Sequence, residues 1–145
     1  MAFRFPLATV LRVRESVEER EERALQRIQL EIARARRQIE ELSAAITNAH
    51  LAREEALRRP VPASHLHTML ADAQAAVEKK KTILHALHTL EQQRDQQMKI
   101  YQAAHRDREM LTDMQDQQLN AYQQEQSRAQ QKNLDDIFIA RRQRG

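Results

Sequence analysis

Residues 25–49 of the chain read LQRIQLEIARARRQIEELSAAITNA, and their apolar side chains recur at alternating intervals of three and four residues. That spacing is the heptad pattern of a helix that packs along a narrow seam against one long partner. The predicted seam positions are Leu25, Ile28, Ile32, Ala35, Ile39, Leu42, Ile46 and Ala49, with Arg53 and Ala56 continuing the phase.

A second run with the same period follows later in the chain. Its seam positions are Leu66, Met69, Ala73, Ala76, Lys80, Ile83, Leu87 and Leu90, continued by Arg94, Gln97, Tyr101, Ala104, Arg108 and Leu111 before the pattern blurs. Two such runs joined by a short connector predict antiparallel neighbours. The predicted fold class is all-α, a long two-helix antiparallel coiled coil that forms a helical hairpin.

The connector is predicted at the strongest break in the sequence, residues 59–64, which read RPVPAS. Each of its two prolines restricts the preceding residue to extended conformations, and Ser64 is a suitable N-cap for the next helix. We expect helix one at about 7–58, the connector at about 59–64 and helix two at about 65–140. Together they are predicted to form a single coiled-coil domain of residues 1–145.

A turn near residue 62 places residue i of the first helix opposite about residue 124 − i of the second. This register opposes charges of different sign in five pairs: Arg53 with Asp72, Glu41 with Lys81, Glu31 with Arg94, Glu18 with Arg106, and Arg14 with Glu109. The second helix then overhangs the first from about residue 117. The overhang is Gln-rich, and apolar residues return near its end, which is typical of a partner-binding helix.

Composition excludes several classes of protein. The 145 residues include one Gly, three Pro and no Cys, and the net charge is +3. Strands are not expected, because β-branched and aromatic residues are scarce, and thiol chemistry is excluded. The interspersed charges give no nucleic-acid footprint. With no apolar run long enough to span a membrane and no signal-peptide pattern, we expect a cytoplasmic protein.

Candidate chemistry is sparse. His85, His88 and Glu91 recur at a spacing that could line a metal, but they lie off the seam, and a solvated helix face is the favoured interpretation. The only glycine is Gly145, so the chain lacks a Gly-rich phosphate loop, and a two-helix coil offers no concave pocket for catalysis. We therefore expect a non-enzymatic protein with no catalytic residues, no metal site and no cofactor.

The aromatic residues carry more information. They are Phe3, Phe5, Tyr101, Tyr122 and Phe138, and none lies between residues 6 and 100. In an antiparallel hairpin all five collect in the half that holds both chain termini. Two interpretations stay open: local packing that closes the open end of the coil, and a hydrophobic tip that enters a partner protein.

The two chain ends also carry motifs. The start reads Phe3-x-Phe5-x-Leu7-x-x-Val10-Leu11-x-x-Arg14-Glu15, and the end reads Gln131-Lys132-Asn133-Leu134-Asp135-Asp136 followed by Arg141-Arg142. With these motifs, and a looser match at Met69-Ala73-Ala76-Val77, the chain resembles the FliJ family of flagellar type III export proteins over its whole length. It departs from the family pattern at Met69, where a larger aromatic is expected, at Gln130, and in its short connector without glycine.

The resemblance implies a stalk-like coiled coil that binds the ring of the flagellar export ATPase hexamer. It also implies contact with the cytoplasmic domain of the membrane export gate protein and escort of export chaperones. Such a protein is cytoplasmic and peripherally associated with the inner face of the cell membrane, without membrane insertion or nucleic-acid binding. We expect a monomer when free, because the hairpin covers its own seam.

The resemblance assigns residues to two contacts. The ATPase-binding residues are predicted to be Phe3, Phe5, Leu7, Val10, Leu11, Arg14, Leu134, Asp135, Asp136 and Phe138. The export-gate-binding residues are predicted to be Met69, Ala73 and Ala76, for which ordinary seam packing is the alternative. Two other functions stay open, namely the cognate stalk protein of a virulence-type secretion system and a generic coiled-coil dimerisation scaffold.

Overall fold

The computed structural model describes residues 2–144 and contains two helices, α1 at Ala8–Leu57 and α2 at Ala63–Arg144. The predicted all-α antiparallel coiled coil, a helical hairpin, is confirmed. Helix α2 runs four residues beyond its predicted end. Its last turn carries Arg141, Arg142 and Arg144, cations that the negative C-terminal end of the helix dipole favours.

The connector differs from the prediction at the start of α2. Ser64 is not the N-cap but lies inside α2, where its carbonyl accepts a hydrogen bond from the Thr68 hydroxyl. The first helical bonds go instead to the Pro62 carbonyl, which accepts from the His65 N–H at 3.0 Å. Ala63 is a strong helix former that can follow Pro62 directly, so the helix gains its first residues before Ser64.

The contacts of the chain fall into two units. The terminal unit joins the described residues up to Arg20 with those from Tyr101 onward, and the connector unit comprises Glu21–Ile100. In the terminal unit Phe3 lies against Tyr122 and Arg14 against Asp107. In the connector unit Gln97 bonds to Glu21 and Arg36 pairs with Glu91. Within each unit the two helices therefore run antiparallel, and the opposed positions follow the predicted register to within a few residues.

The predicted seam is observed. Every predicted seam position except Arg53 is buried or half-buried, and most of the residues between them are exposed. The connector unit buries Leu25, Ile32 and Ala35 most deeply. This is the narrow apolar stripe expected of a helix with a single long partner.

Beyond Leu111 the seam continues, although the sequence pattern blurs there. Gln115, Leu119 and Tyr122 are half-buried, so the intervals from Leu111 are four, four and three residues. Eleven residues in three turns is a hendecad step, which a search for strict heptads does not detect. The overhang consequently begins after Tyr122 rather than at residue 117, because residues that precede α1 lie along α2 as far as Phe3.

Candidate functional site

The aromatic end of the terminal unit is partly a packed core. Phe5 and Leu11 are each only 6% exposed, and Ala104 of α2 is also buried, further along the same unit. The Phe3 ring contacts the Tyr122 ring at a centroid distance of 5.6 Å. Such aromatic pairs stabilise beyond the area they bury. Phe3 and Phe5 therefore pack within this unit, as the first interpretation of the aromatic bias expected.

A turn leads the chain from this core into α1. The Ala8 N–H donates to the Phe5 carbonyl at 3.1 Å, and the Leu11 N–H donates to the Leu7 carbonyl at 2.9 Å. Pro6 occupies the second position of the turn, which its fixed φ suits. Of the predicted ATPase-binding residues here, Leu7 is half-buried and Val10 is exposed.

Arg14 is also exposed, and its guanidinium lies 3.4 Å from the Asp107 carboxylate of α2. The predicted partner, Glu109, instead lies 3.4 Å from the His105 ring. The register is thus close to the predicted one, but Arg14 pairs with a residue two positions away from its predicted partner. An exposed pair such as Arg14–Asp107 adds little to stability.

A cluster of polar side chains occupies the seam of the terminal unit, where apolar residues are the rule. The Arg108 guanidinium donates to the Glu18 carboxylate at 2.5 Å, and the His105 ring lies 3.2 Å from the same carboxylate. The Glu18 side chain is only 15% exposed. The hydrogen bond from Arg108 holds the pKa of Glu18 below its ordinary value, although burial opposes that shift.

The predicted register pairs Glu18 with Arg106 and does not predict this cluster. The sequence nevertheless contains the signal, because Glu18 lies seven residues before Leu25 and therefore occupies the same heptad position. Arg108 is a predicted seam position of α2. A charged residue at a seam position of each helix predicts that the two meet, since a lone buried charge is costly.

The end of α2 extends beyond the region where the N-terminal residues of the chain pack against it. All residues from 123 to 144 are exposed, and they include four large apolar side chains: Leu134, Ile137, Phe138 and Ile139. We call residues 123–144 the tail. At about 100° per residue, Leu134, Ile137 and Phe138 share one face of the helix, whereas Ile139 lies to the side. Phe138 is 66% exposed, the most of the four.

The two predicted acidic residues of the tail differ in position. Asp135 lies about 100° around the helix from Leu134, on the flank of the apolar face, whereas Asp136 lies about opposite to it. The Asp135 carboxylate accepts a hydrogen bond from the Gln131 amide at 3.1 Å. Asp135 is therefore the better placed to contact a partner that covers the apolar face.

The predicted ATPase-binding residues thus form two groups that do not meet. Phe3 reaches Tyr122, and Phe138 lies 16 residues further along α2, which corresponds to about 24 Å of helix. The first group, at the start of α1, is mostly packed. The second group, in the tail, is uncovered.

The predicted export-gate residues lie in the connector unit beside a shallow groove of about 510 Å³. Met69 and Ala73 line the groove together with Ala49 of α1, and Leu70 forms part of its exposed wall. Ala76 is half-buried in the seam and does not line the groove. Small side chains on both helices leave the seam shallow here, so Met69 and Ala73 take part in both seam packing and the groove surface.

Other chemistry is sparse among the described residues. His88 is within 3.3 Å of the Gln92 amide on the same helix. Between residues 2 and 144, no three His, Cys, Asp or Glu side chains come close enough to hold a metal ion. Neither described helix has a stretch apolar and long enough to cross a membrane.

Comparison with known proteins identifies the family. The model of the family described as flagellar FliJ protein matches residues 3–145. The chain belongs to the FliJ family. No curated protein and no solved structure matches it. Membership makes this FliJ-family chain a component of the flagellar protein export apparatus, within a family whose members are non-catalytic.

Proposed function

We propose that this FliJ-family protein is the stalk-like component that binds the ring of the flagellar export ATPase through its tail. The observation that supports this proposal is the uncovered apolar face of Leu134, Ile137 and Phe138 on a stretch of α2 without a partner helix. A helix with such a face is suited to insertion into an apolar groove or pore. Large aromatic anchors at the centre of an interface contribute most of its binding energy.

The residues at the start of α1 have a different role in this proposal. Phe5 and Leu11 are buried, so they support the end of the coil from which the tail extends. Val10 and Arg14 are exposed and available for direct contact. The proposed contact residues are therefore Val10, Arg14 and the tail, with Phe3, Phe5, Leu7 and Leu11 positioning them.

An asymmetric helix in a ring of identical subunits contacts each subunit differently. It biases the subunit conformations only by its difference in affinity for them. Phe138→Ala should weaken binding of the purified chain to the ATPase hexamer about thirtyfold, equivalent to a loss of about 2 kcal/mol. Stimulation of ATP hydrolysis should fall in parallel.

Met110→Ala is the matched control, because Met110 is 63% exposed in the same unit but lies outside the tail. Its binding to the hexamer should equal that of the natural chain. Undiminished ATPase binding by Phe138→Ala, with helicity intact, would contradict the proposed role of the tail.

The second part of the proposal is contact with the cytoplasmic domain of the export gate protein at the groove beside Met69 and Ala73. Charged substitutions at these half-buried positions would also disturb the seam, so the exposed wall residue Leu70 gives the cleaner test. Leu70→Glu should abolish binding to the purified gate domain. Leu84→Glu, at a similarly exposed leucine of α2 away from the groove, should leave binding to the gate domain unchanged. Equal binding of the gate domain by both variants would contradict the proposed contact at the groove.

Escort of export chaperones, and peripheral association with the cell membrane, complete the proposed function. Family membership supports both, since members belong to the export apparatus. A purified empty chaperone should bind the full chain, and Phe138→Ala and Leu70→Glu then test whether it uses the tail or the groove. The absence of any chaperone complex at micromolar concentrations would contradict this part.

A further inference from the structure

The outward face of α1 in the connector unit changes charge along its length. Taking Leu25 as the first seam position of a heptad, the outward positions between 23 and 37 hold no carboxylate. They hold four arginines and a central leucine: Arg23, Arg27, Leu30, Arg34 and Arg37. From 40 to 55 the same positions hold no cation and four glutamates: Glu40, Glu41, Glu54 and Glu55. We call the first set the arginine stripe.

The arginine stripe is a continuous surface. Its members are spaced by four, three, four and three residues, the same period as the seam, so the stripe stays on the side of α1 opposite α2. All four arginines are exposed, and Leu30 is 55% exposed. From Arg23 to Arg37 the stripe is about 21 Å long and one helix wide.

Among the described residues, three of the four arginines of the stripe do not pair across the coil. Arg36, on its flank, reaches across to Glu91 of α2 at 3.6 Å. Arg27, Arg34 and Arg37 form no ion pair with any residue between 2 and 144. Three guanidinium groups and one leucine are thus available to a partner without the loss of an internal ion pair.

The chemistry of the stripe indicates carboxylates together with an apolar contact. All cations of α1 are arginines, and the planar guanidinium pairs with a carboxylate through two parallel hydrogen bonds. Leu30 lies at the centre of the stripe, where a nucleic-acid or lipid phosphate would gain nothing from it. A polyanion that continued along α1 would also meet Glu40 and Glu41, which repel it.

A second copy of the chain fits the stripe poorly. Its acidic stretch also carries an exposed leucine, Leu51. An antiparallel pairing that opposes Leu30 to Leu51 brings Arg27 opposite Glu54, but Arg34 then faces Thr47 and Arg37 faces Ala44. The parallel pairing of these two leucines likewise leaves three of the four arginines without a glutamate.

We infer that the arginine stripe is a docking site for a short acidic amphipathic helix of another protein. That helix spans about 14 residues to match the length of the stripe. It presents glutamates or aspartates at intervals of three and four residues, with an apolar side chain at its centre to cover Leu30. Neither the proposed ATPase contact nor the proposed gate contact uses these residues, so the inference is independent of both.

The test uses a fluorescent alanine-based helical peptide of about 18 residues, with four glutamates on one face around a central leucine. The full chain should bind it with an affinity that falls as salt rises. Arg27→Gln/Arg34→Gln should weaken binding about tenfold, and Leu30→Ala about threefold. Glu40→Gln/Glu41→Gln, the matched control on the neighbouring acidic stretch, should bind at least as tightly as the natural chain.

The outcomes that overturn the inference are distinct. Absence of binding, or equal affinity in Arg27→Gln/Arg34→Gln, removes the site. If heparin binds as tightly as the peptide, and Leu30→Ala does not change heparin affinity, the stripe is instead a site for polyanions. A concentration-dependent dimer in sedimentation that Arg27→Gln/Arg34→Gln dissociates assigns it to a second copy. A peptide with glutamine in place of glutamate removes the same charge pairs while the protein keeps its natural sequence. Its weaker binding to the natural chain therefore tests the inference without depending on the folding of any variant.

Discussion

The two units join the same pair of helices with different chemistry. In the connector unit the most buried side chains are Leu25, Ile32 and Ala35, all apolar. In the terminal unit the seam carries the Glu18, His105 and Arg108 cluster, with the apolar core displaced toward Phe5 and Leu11. Apolar burial is non-directional and stabilises in proportion to area, whereas the ion cluster is favourable only when each partner stands in the right place.

Apolar burial and the ion cluster contribute differently to stability and to register. An apolar heptad seam tolerates a shift of one full repeat, since it presents the same surface again. A glutamate at a seam position does not, because it must meet its arginine or remain buried without a partner. We therefore expect the connector unit to dominate the free energy of unfolding. The Glu18–Arg108 contact of the terminal unit should select the alignment together with the hydrogen bond from Gln97 to Glu21 in the connector unit. The substitutions and the pH dependence below test this division.

The largest effect in the connector unit is expected at Ile32, which is 4% exposed. Ile32→Ala should lower the free energy of unfolding by about 2–4 kcal/mol, because it removes buried apolar surface and leaves a cavity. Urea unfolding followed by helicity measures this. Leu30→Ala, two residues away on the exposed face, is the control and should change stability by less than about 0.5 kcal/mol. Similar losses in the free energy of unfolding for both variants would contradict the role of the apolar seam in the stability of the connector unit.

The next effect concerns the polar cluster. Arg108→Leu should cost about 1–3 kcal/mol, because it leaves the Glu18 carboxylate in the seam without its main partner. The double variant Glu18→Leu/Arg108→Leu should recover most of that loss, since two apolar side chains restore an ordinary seam. Hydrogen exchange of amides in the terminal unit reports on each. If the double variant is no more stable than the single one, the cluster contributes more than register.

The recovered double variant should also have a less well-defined alignment. Cysteine pairs introduced for cross-linking at Arg14 and Asp107, which oppose each other in the structure, should couple efficiently in the natural background. In the double variant, cross-linking should spread to positions one heptad away along α2. Unchanged cross-linking would place the control of register in the connector unit instead.

A smaller effect is expected from pH. Arg108 lowers the pKa of Glu18 in the folded chain, so the unfolded chain binds the proton more readily. The contribution of the ionised carboxylate is therefore complete above the pKa of the unfolded state. It is lost as pH falls below the ordinary glutamate value of about 4.3 and through the lower folded pKa. The stability difference between the natural chain and Glu18→Gln should shrink across that range, as measured by thermal unfolding. A difference that does not vary with pH would contradict the assignment.

The smallest effect on stability is expected in the tail. Phe138 is exposed on a stretch of helix without a neighbour, so Phe138→Ala should change the free energy of unfolding by less than about 0.5 kcal/mol. Phe5→Ala, at a buried phenylalanine of the same unit, should cost about 3 kcal/mol or more. Differential unfolding of the two variants separates the aromatic residues that pack from those that remain available.

Local pattern was enough for much of this molecule. The heptad intervals of Leu25, Ile28 and Ile32 and the prolines near residue 60 predicted two helices, their antiparallel pairing and nearly the whole seam, because helix periodicity depends only on positions along the chain. The two terminal motifs indicated the family that the whole-chain match then established. The register followed to within a few residues from the helical rise alone.

Tertiary structure decided which side chains meet. Glu18 bonds to Arg108 rather than Arg106, and the seam continues past Leu111 by a hendecad step. Tertiary packing also separates the aromatic residues, because it buries Phe5 and leaves Phe138 exposed. The physical reason is that a helix fixes the direction of each side chain to within a fraction of a turn. Burial depends on where the other helix lies, and an ion pair depends on about 1 Å of separation, which periodicity does not encode.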